Sequence, residues 1–187
     1  MIDRPALKAT AKQQIKGNLP NLIIITLILG FVSIIPLVGQ ILTPALSLCL
    51  VMVFLNLSYG NAPQISDCFA GLKYLGKAWW LTIITAFFTF LWSLLLVIPG
   101  MIKAISYSMA PFILADDPTL TAQQALNISK QITDGYKMEM FLLALSFIGW
   151  FLLIPLTYGI AALWVIPYAS ATFTNFYQTI KKNKAAA

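Results

Sequence analysis

Asp116-Asp117-Pro118 is the sharpest polar cluster in this chain of 187 residues. Two adjacent carboxylates at the end of an apolar run could hold a divalent cation or a cationic head group. The same residue types also suit a helix start, with Asp117 as the cap, Pro118 in the first turn and Asp116 favouring the positive helix end. The cap is the preferred reading. Lys103, set in an otherwise uncharged stretch, suits snorkelling to head groups or contact with a ligand. Thr82, Thr85, Thr89 and Ser93 share one helix face. Such a face allows close helix approach and interhelical hydrogen bonds, or it lines a polar path. Ser106, Tyr107 and Ser108 beside Pro111, and Ser170, Thr174 and Asn175 beyond Pro167, leave the same two readings open. A proline within a helix frees a carbonyl and kinks the helix, and broken helices at matching positions of a repeat point to a transporter's binding site. Lys103, Tyr107, Pro111, Asp116, Asp117, Pro167 and Asn175 are therefore the candidate ligand or lipid contacts.

The usual catalytic parts are missing. There is no histidine, hence neither the commonest general base nor the commonest metal ligand. Cys49 and Cys68 lie too far apart in sequence and in expected depth to form a metal site, and a disulfide framework is not expected. No Walker A loop and no G-x-G-x-x-G occurs. The expectation is a protein with no catalytic residues, cofactor, metal or nucleic-acid partner. None of the six acidic residues lies deep in an apolar run, which weakens a proton-coupled carrier.

The elements that must position these side chains are apolar helices. The chain is 59% hydrophobic and 10% charged, against about 25% charged in soluble domains. No charge occurs between Lys16 and Asp67, between Lys77 and Lys103, or between Glu139 and Lys181. Roughly 20 apolar residues cross a bilayer as a helix, so the first and third runs each hold two crossings. Their continuous apolarity does not alternate as barrel strands do. The expected fold is an all-α polytopic membrane protein with six transmembrane helices, approximately Leu19–Ile35, Ile41–Tyr59, Trp79–Ile98, Met101–Ala115, Met140–Ile154 and Leu156–Tyr177. The first reads as a retained helix rather than a signal peptide, since no A-x-A-like site follows it.

Ile35-Pro36, Ile98-Pro99 and Ile154-Pro155 fall between these crossings and fold them into three helical hairpins; a fourth copy, Ile166-Pro167, lies inside the last run. Of the twelve basic residues only Lys103 sits on the Ile-Pro side. By the positive-inside rule both termini are cytoplasmic and the Ile-Pro turns face outward. Trp79 and Trp80 belong to an interfacial aromatic belt. Each hairpin follows a short basic segment containing Gly17, Gly76 or Gly135, and Pro111 and Pro167 each lie twelve residues after a turn proline. One membrane domain, 1–187, with internal repeats 1–60, 61–117 and 118–187, accounts for this. The first hairpin has Leu48 at the equivalent place and breaks the pattern.

The segments ahead of the hairpins read as short cytoplasmic interfacial helices. In the first, Asp3 caps and Pro5 opens the helix. Leu7, Ala11 and Ile15 form an apolar stripe beside the basic stripe Arg4, Lys8, Lys12 and Lys16, each charge worth about 1 kcal/mol against an anionic leaflet. In the third, Leu120, Ala125, Ile128 and Ile132 form the apolar face. Membrane lipids are the expected partners, with a membrane protein partner as a second prospect.

Several stretches resemble a bacterial family of integral membrane proteins catalogued as a domain of unknown function, the DUF975 family. They are Lys8–Asn18, Pro99-Gly100 with Ser106–Asp117, Ala125–Gly135, Ser146–Trp150, and Pro167-Tyr168 with Phe173–Tyr177. The resemblance implies a six-helix bacterial membrane protein, distantly similar to the membrane domain attached to some glycerophosphodiester phosphodiesterases. It supplies no catalytic residues, and without a phosphodiesterase domain that activity is not inherited. The expected function is a non-enzymatic protein of the bacterial cytoplasmic membrane that binds lipid or partner proteins. A small transporter or channel near the kinked fourth and sixth helices is the second reading. Self-immunity against membrane-active peptides is the third.

Overall fold

Proline, glycine and short polar clusters punctuate an otherwise apolar chain, and its helices begin and end at them. The computed structural model describes residues 3–36, 38–95 and 97–185; the side chains of Ile34, Ile65, Cys68, residues 93–99 and Ala185 lie outside that description. Among the described residues nine α-helices run α1 Arg4–Ile34, α2 Val38–Ser58, α3 Leu75–Leu95, α4 Val97–Tyr107, α5 Ala110–Asp116, α6 Ala122–Thr133, α7 Lys137–Leu145, α8 Ile148–Leu156 and α9 Ala162–Ala185, with a 3₁₀ segment Ile65–Tyr74 between α2 and α3. No strand occurs among the described residues. Among the described residues four stretches are long and apolar enough to cross a membrane: Arg4–Ser33, Val38–Ser58, Phe69–Trp92 and Lys137–Leu156. With a rise of about 1.5 Å per residue, the 21 residues of α2 match a hydrocarbon layer about 30 Å thick.

Each of the three spaced Ile-Pro pairs falls at a junction between helices. Ile35-Pro36 follows α1, Ile98-Pro99 lies in the first turn of α4 and Ile154-Pro155 in the last turn of α8. Proline suits these places because its missing N–H is lost least expensively at a helix end. After Pro155 the chain reverses through Tyr158 (φ 51°) and Gly159 (φ 88°), two successive left-handed residues, of which only the glycine is free of Cβ strain. Ile166-Pro167 lies inside α9, which continues through it.

The structure departs from the sequence reading in four places. Met101–Ala115 is not one helix: it is interrupted at Ser108-Met109 into α4 and α5, neither long enough to span. Leu156–Tyr177 is not one helix either, because Leu156 ends α8 and α9 starts only at Ala162. The first basic segment is no separate surface helix but the opening turns of the 31-residue α1. Its N-terminus is as expected, with Ala6 N donating to the Asp3 carboxylate at 3.3 Å. Leu7, Ala11 and Ile15 are buried in a helix that packs along α9; they face protein rather than lipid. Arg4, Lys12 and Lys16 stay exposed. Lys8 instead lies 4.7 Å from the centroid of the buried Phe147 ring.

The fourth departure concerns Trp79, whose indole donates to the Ile41 carbonyl at 2.7 Å. The six-crossing scheme sets these residues at opposite membrane faces. They meet because the 3₁₀ segment packs along α2, close enough that a Cβ on Gly71 would lie 2.8 Å from both Cys49 N and its Sγ. The chain thereby retraces α2 before α3 begins.

Candidate functional site

The interruption between α4 and α5 organises the site. Pro111 has no N–H, so the Tyr107 carbonyl loses its helical donor, and the ladder opens over Ser106–Ala110. The Ser106 carbonyl accepts instead from Ser129 Oγ at 2.7 Å, which docks α6 onto the opened turn. Ser129 and Thr133 are both buried. Lys130, next along α6, lies 5.3 Å from the centroid of the Tyr107 ring, a distance at which an ammonium is attracted to the ring face.

Two cavities flank this break, with Ala104 and Ser108 in the walls of both. The larger holds about 520 Å³ between α4, α5, α7 and α9, walled by Met109, Phe112, Phe141, Ala144, Ala169 and Phe173 among others. Two of its few hydroxyls are committed to their own helices: Ser108 Oγ donates to the Ile105 carbonyl at 2.7 Å and Thr174 Oγ1 to that of Ser170 at 2.9 Å. The smaller holds about 370 Å³ between α2, α3 and α4, and Thr82, Thr85, Thr89, Tyr107 and Pro111 line it. The hydroxyl face read from the sequence of α3 thus meets the proline of α5; its fourth member, Ser93, lies outside the described side chains. Among the described residues no charged side chain lines either cavity.

The acidic pair divides. Asp117 is exposed and accepts from Thr119 N at 3.0 Å and from the Thr119 hydroxyl, bonds that hold its carboxyl below the usual range. It closes α5 rather than capping α6. The cap of α6 is Thr121, in a reciprocal box with Gln124: Gln124 N donates to Thr121 Oγ1 at 3.3 Å, and Thr121 N to Gln124 Oε1 at 2.8 Å. The expected cap fails because one more turn, residues 117–121, fits before the helix.

Asp116 turns inward, its side chain 13% exposed. Tyr59 Oη donates to Oδ1 at 2.6 Å and Tyr177 Oη to Oδ2 at 2.8 Å, while the Lys181 ammonium pairs with Oδ2. Burial pushes this carboxyl up, but the Lys181 hydrogen bond and those of the two tyrosines outweigh it and leave it below the ordinary carboxylate range. Lys181 is held above its ordinary value, burial being outweighed by Asp116. One carboxylate therefore clasps the ends of α2, α5 and α9. With three donors already on it, it is a poor free ligand for a cation.

The remaining candidates separate. Asn175 is buried and donates from Nδ2 to Gln14 Oε1 at 3.0 Å, joining α9 to α1 in a polar cavity of about 320 Å³ beside the clasp. Lys103 lies 4.7 Å from the Trp92 ring centroid. Pro167 is buried within α9 and lines neither cavity at the break. Of the seven, Tyr107 and Pro111 share a cavity. The sequence reading passed over Tyr59, Tyr177, Lys181, Gln14 and Ser129. Both tyrosines stood at expected helix ends, but no spacing rule links them to a carboxylate 57 or 61 residues away.

Helices throughout, four of them apolar and long enough to cross a membrane, with uncharged cavities between, define a class compatible with a helical membrane protein. The family described as "Protein of unknown function (DUF975)" matches residues 94–184 of this chain. This stretch contains the helix break, α6, the acidic pair and α9. No curated protein and no solved structure matches the chain at a significant level.

Proposed function

We propose that this is a non-enzymatic, multi-pass protein of the bacterial cytoplasmic membrane that binds lipid between its helices. The observation that carries the reading is the 520 Å³ cavity at the α4–α5 break. Its volume lies in the range of small-molecule sites, about 300–1,000 Å³, and its walls are almost wholly apolar. A guest there gains from burial of apolar surface and meets no acid, base or charge. The charge pattern supports both termini in the cytoplasm. Exposed Arg4, Lys12 and Lys16 in a chain of net charge +6 suit the anionic leaflet.

Mass spectrometry of the protein purified in mild detergent tests the binding. A lipid retained in excess over its share of the membrane is expected. Ala144→Trp, at an exposed position on the cavity wall, should remove it while leaving the thermal midpoint unchanged. Retention of lipid only in bulk proportions would refute the reading.

Transport is the second reading, favoured by one observation: the two cavities lie either side of a broken helix, the arrangement that discontinuous transporter helices use. Flux in proteoliposomes that Pro111→Ala abolishes would establish it. Tight vesicles across a broad solute panel would count against it.

A further inference from the structure

The smaller cavity differs from its neighbour in one respect that bears on what it holds. Thr82, exposed at its edge, returns its hydroxyl to the Ala78 carbonyl at 2.9 Å. Thr85 and Thr89, one turn apart on α3, and Tyr107 on α4 also line it. Among the described residues these three hydroxyls make no hydrogen bond within the protein. Tyr107 is buried and Thr85 and Thr89 are half-buried; a buried hydroxyl in a native protein almost always has a partner, so an uncommitted phenol beside two uncommitted threonines around a single space calls for an external one. Each offers one proton and accepting lone pairs, and no charged side chain is present to neutralise an ion. Alanines 78, 86 and 104 leave the room.

We infer that this cavity receives the polar end of an uncharged amphiphile, an ester or alcohol oxygen group as in a glyceride or a polyprenol, whose apolar tail occupies the larger cavity across Ala104 and Ser108. The inference rests on the lipid-binding reading and narrows it to neutral lipids. An ionic head group is excluded by its desolvation, since a charge placed there without a counter-ion costs far more than hydroxyl contacts return. The threonines and Tyr107 read the oxygen atoms; the neighbouring cavity supplies the affinity.

The test uses two probes with the same acyl chain, mono-oleoylglycerol and its phosphate ester, offered to the full chain in detergent and read by native mass spectrometry. The neutral probe should bind at least about tenfold more tightly than the phosphate ester, and the near-isosteric Thr85→Val/Thr89→Val double variant should cost it about tenfold, the worth of one or two hydrogen bonds. Tyr107→Phe should act in the same direction with a smaller loss. Equal or tighter binding of the phosphate ester, or no effect of the valines, would overturn the inference while leaving lipid binding in place. A dimer that the valine variant dissociates would overturn it too, by assigning the threonines to a second copy. Failure of the wild-type chain to retain either probe, or any lipid, would instead remove the lipid-binding reading itself.

Discussion

Asp116 carries the largest polar responsibility of any single residue here. Its carboxylate satisfies two phenols and an ammonium, so Asp116→Asn leaves Lys181 without its counter-charge and weakens the tyrosine bonds. The expected cost is roughly 1–3 kcal/mol, held to that range by the half-exposed lysine, and read as a lowered thermal midpoint in detergent. The pH dependence follows from the direction of the shift. A carboxyl held below its ordinary value stabilises the fold fully above that value, about pH 4, and loses the contribution as pH falls through its folded pKa. The gap between wild type and Asp116→Asn should therefore be constant from about pH 6 to 8 and close below about pH 4. A gap that persists in acid would show that the side chain acts by packing alone. The cluster's importance was legible in the sequence. Its chemistry was not, because all three donors come from elements more than 50 residues away.

At the scale of elements, the interrupted α4–α5 and the retraced α2 hold the surprises. Docking of α6 depends on Ser129 reaching the Ser106 carbonyl, and Ser129→Ala should cost about 1 kcal/mol, because only the longer Thr133 Oγ1 contact at 3.5 Å then remains on that carbonyl. Hydrogen exchange should speed selectively in α6; uniform loss of protection would mean that this bond holds no particular helix. Gly71→Ala tests the return along α2. Its Cβ would meet backbone at Cys49 and Ala45, at 2.8 and 3.0 Å, contacts that cannot rotate away, and overpacking of this kind costs about 1–3 kcal/mol. An unaltered midpoint would place the 3₁₀ segment elsewhere. Pro111 announced its helix break in the sequence, whereas Pro167, matched to it in spacing, sits in an unbroken helix. The local effect of a proline is the same in both; what differs is whether another element docks on the opened turn, as α6 does beside Pro111 through Ser129 and the Ser106 carbonyl.

For the whole molecule the number of crossings decides on which side of the membrane α6 lies. The four long apolar stretches and the six expected from charge both put the termini on one side, yet they disagree about what lies between. With six, Ile160 is outside and Gln131 inside; with four, the two exchange. Both side chains are exposed, so single cysteines placed there, in a chain lacking Cys49 and Cys68, can report. A membrane-impermeant thiol reagent added to intact cells is expected to label Ile160→Cys and spare Gln131→Cys. The reverse pattern would replace six crossings by four and move α6 to the outer face.

Sequence by itself determined that this chain is helical and apolar, where its helices are punctuated, and which residues lie along the helix break at Pro111. These follow from local physics: continuous apolar runs demand self-satisfied backbone, and proline acts on its own turn wherever it stands. Only the tertiary structure decided that Leu7, Ala11 and Ile15 face protein, that Asp116 is a clasp while Asp117 closes a turn, and that the threonines of α3 line a space with Tyr107 and Pro111. In an apolar chain a hydrophobic stripe suits a protein neighbour as well as a lipid one. Which it meets is settled by the packing of distant elements, and local composition does not encode that.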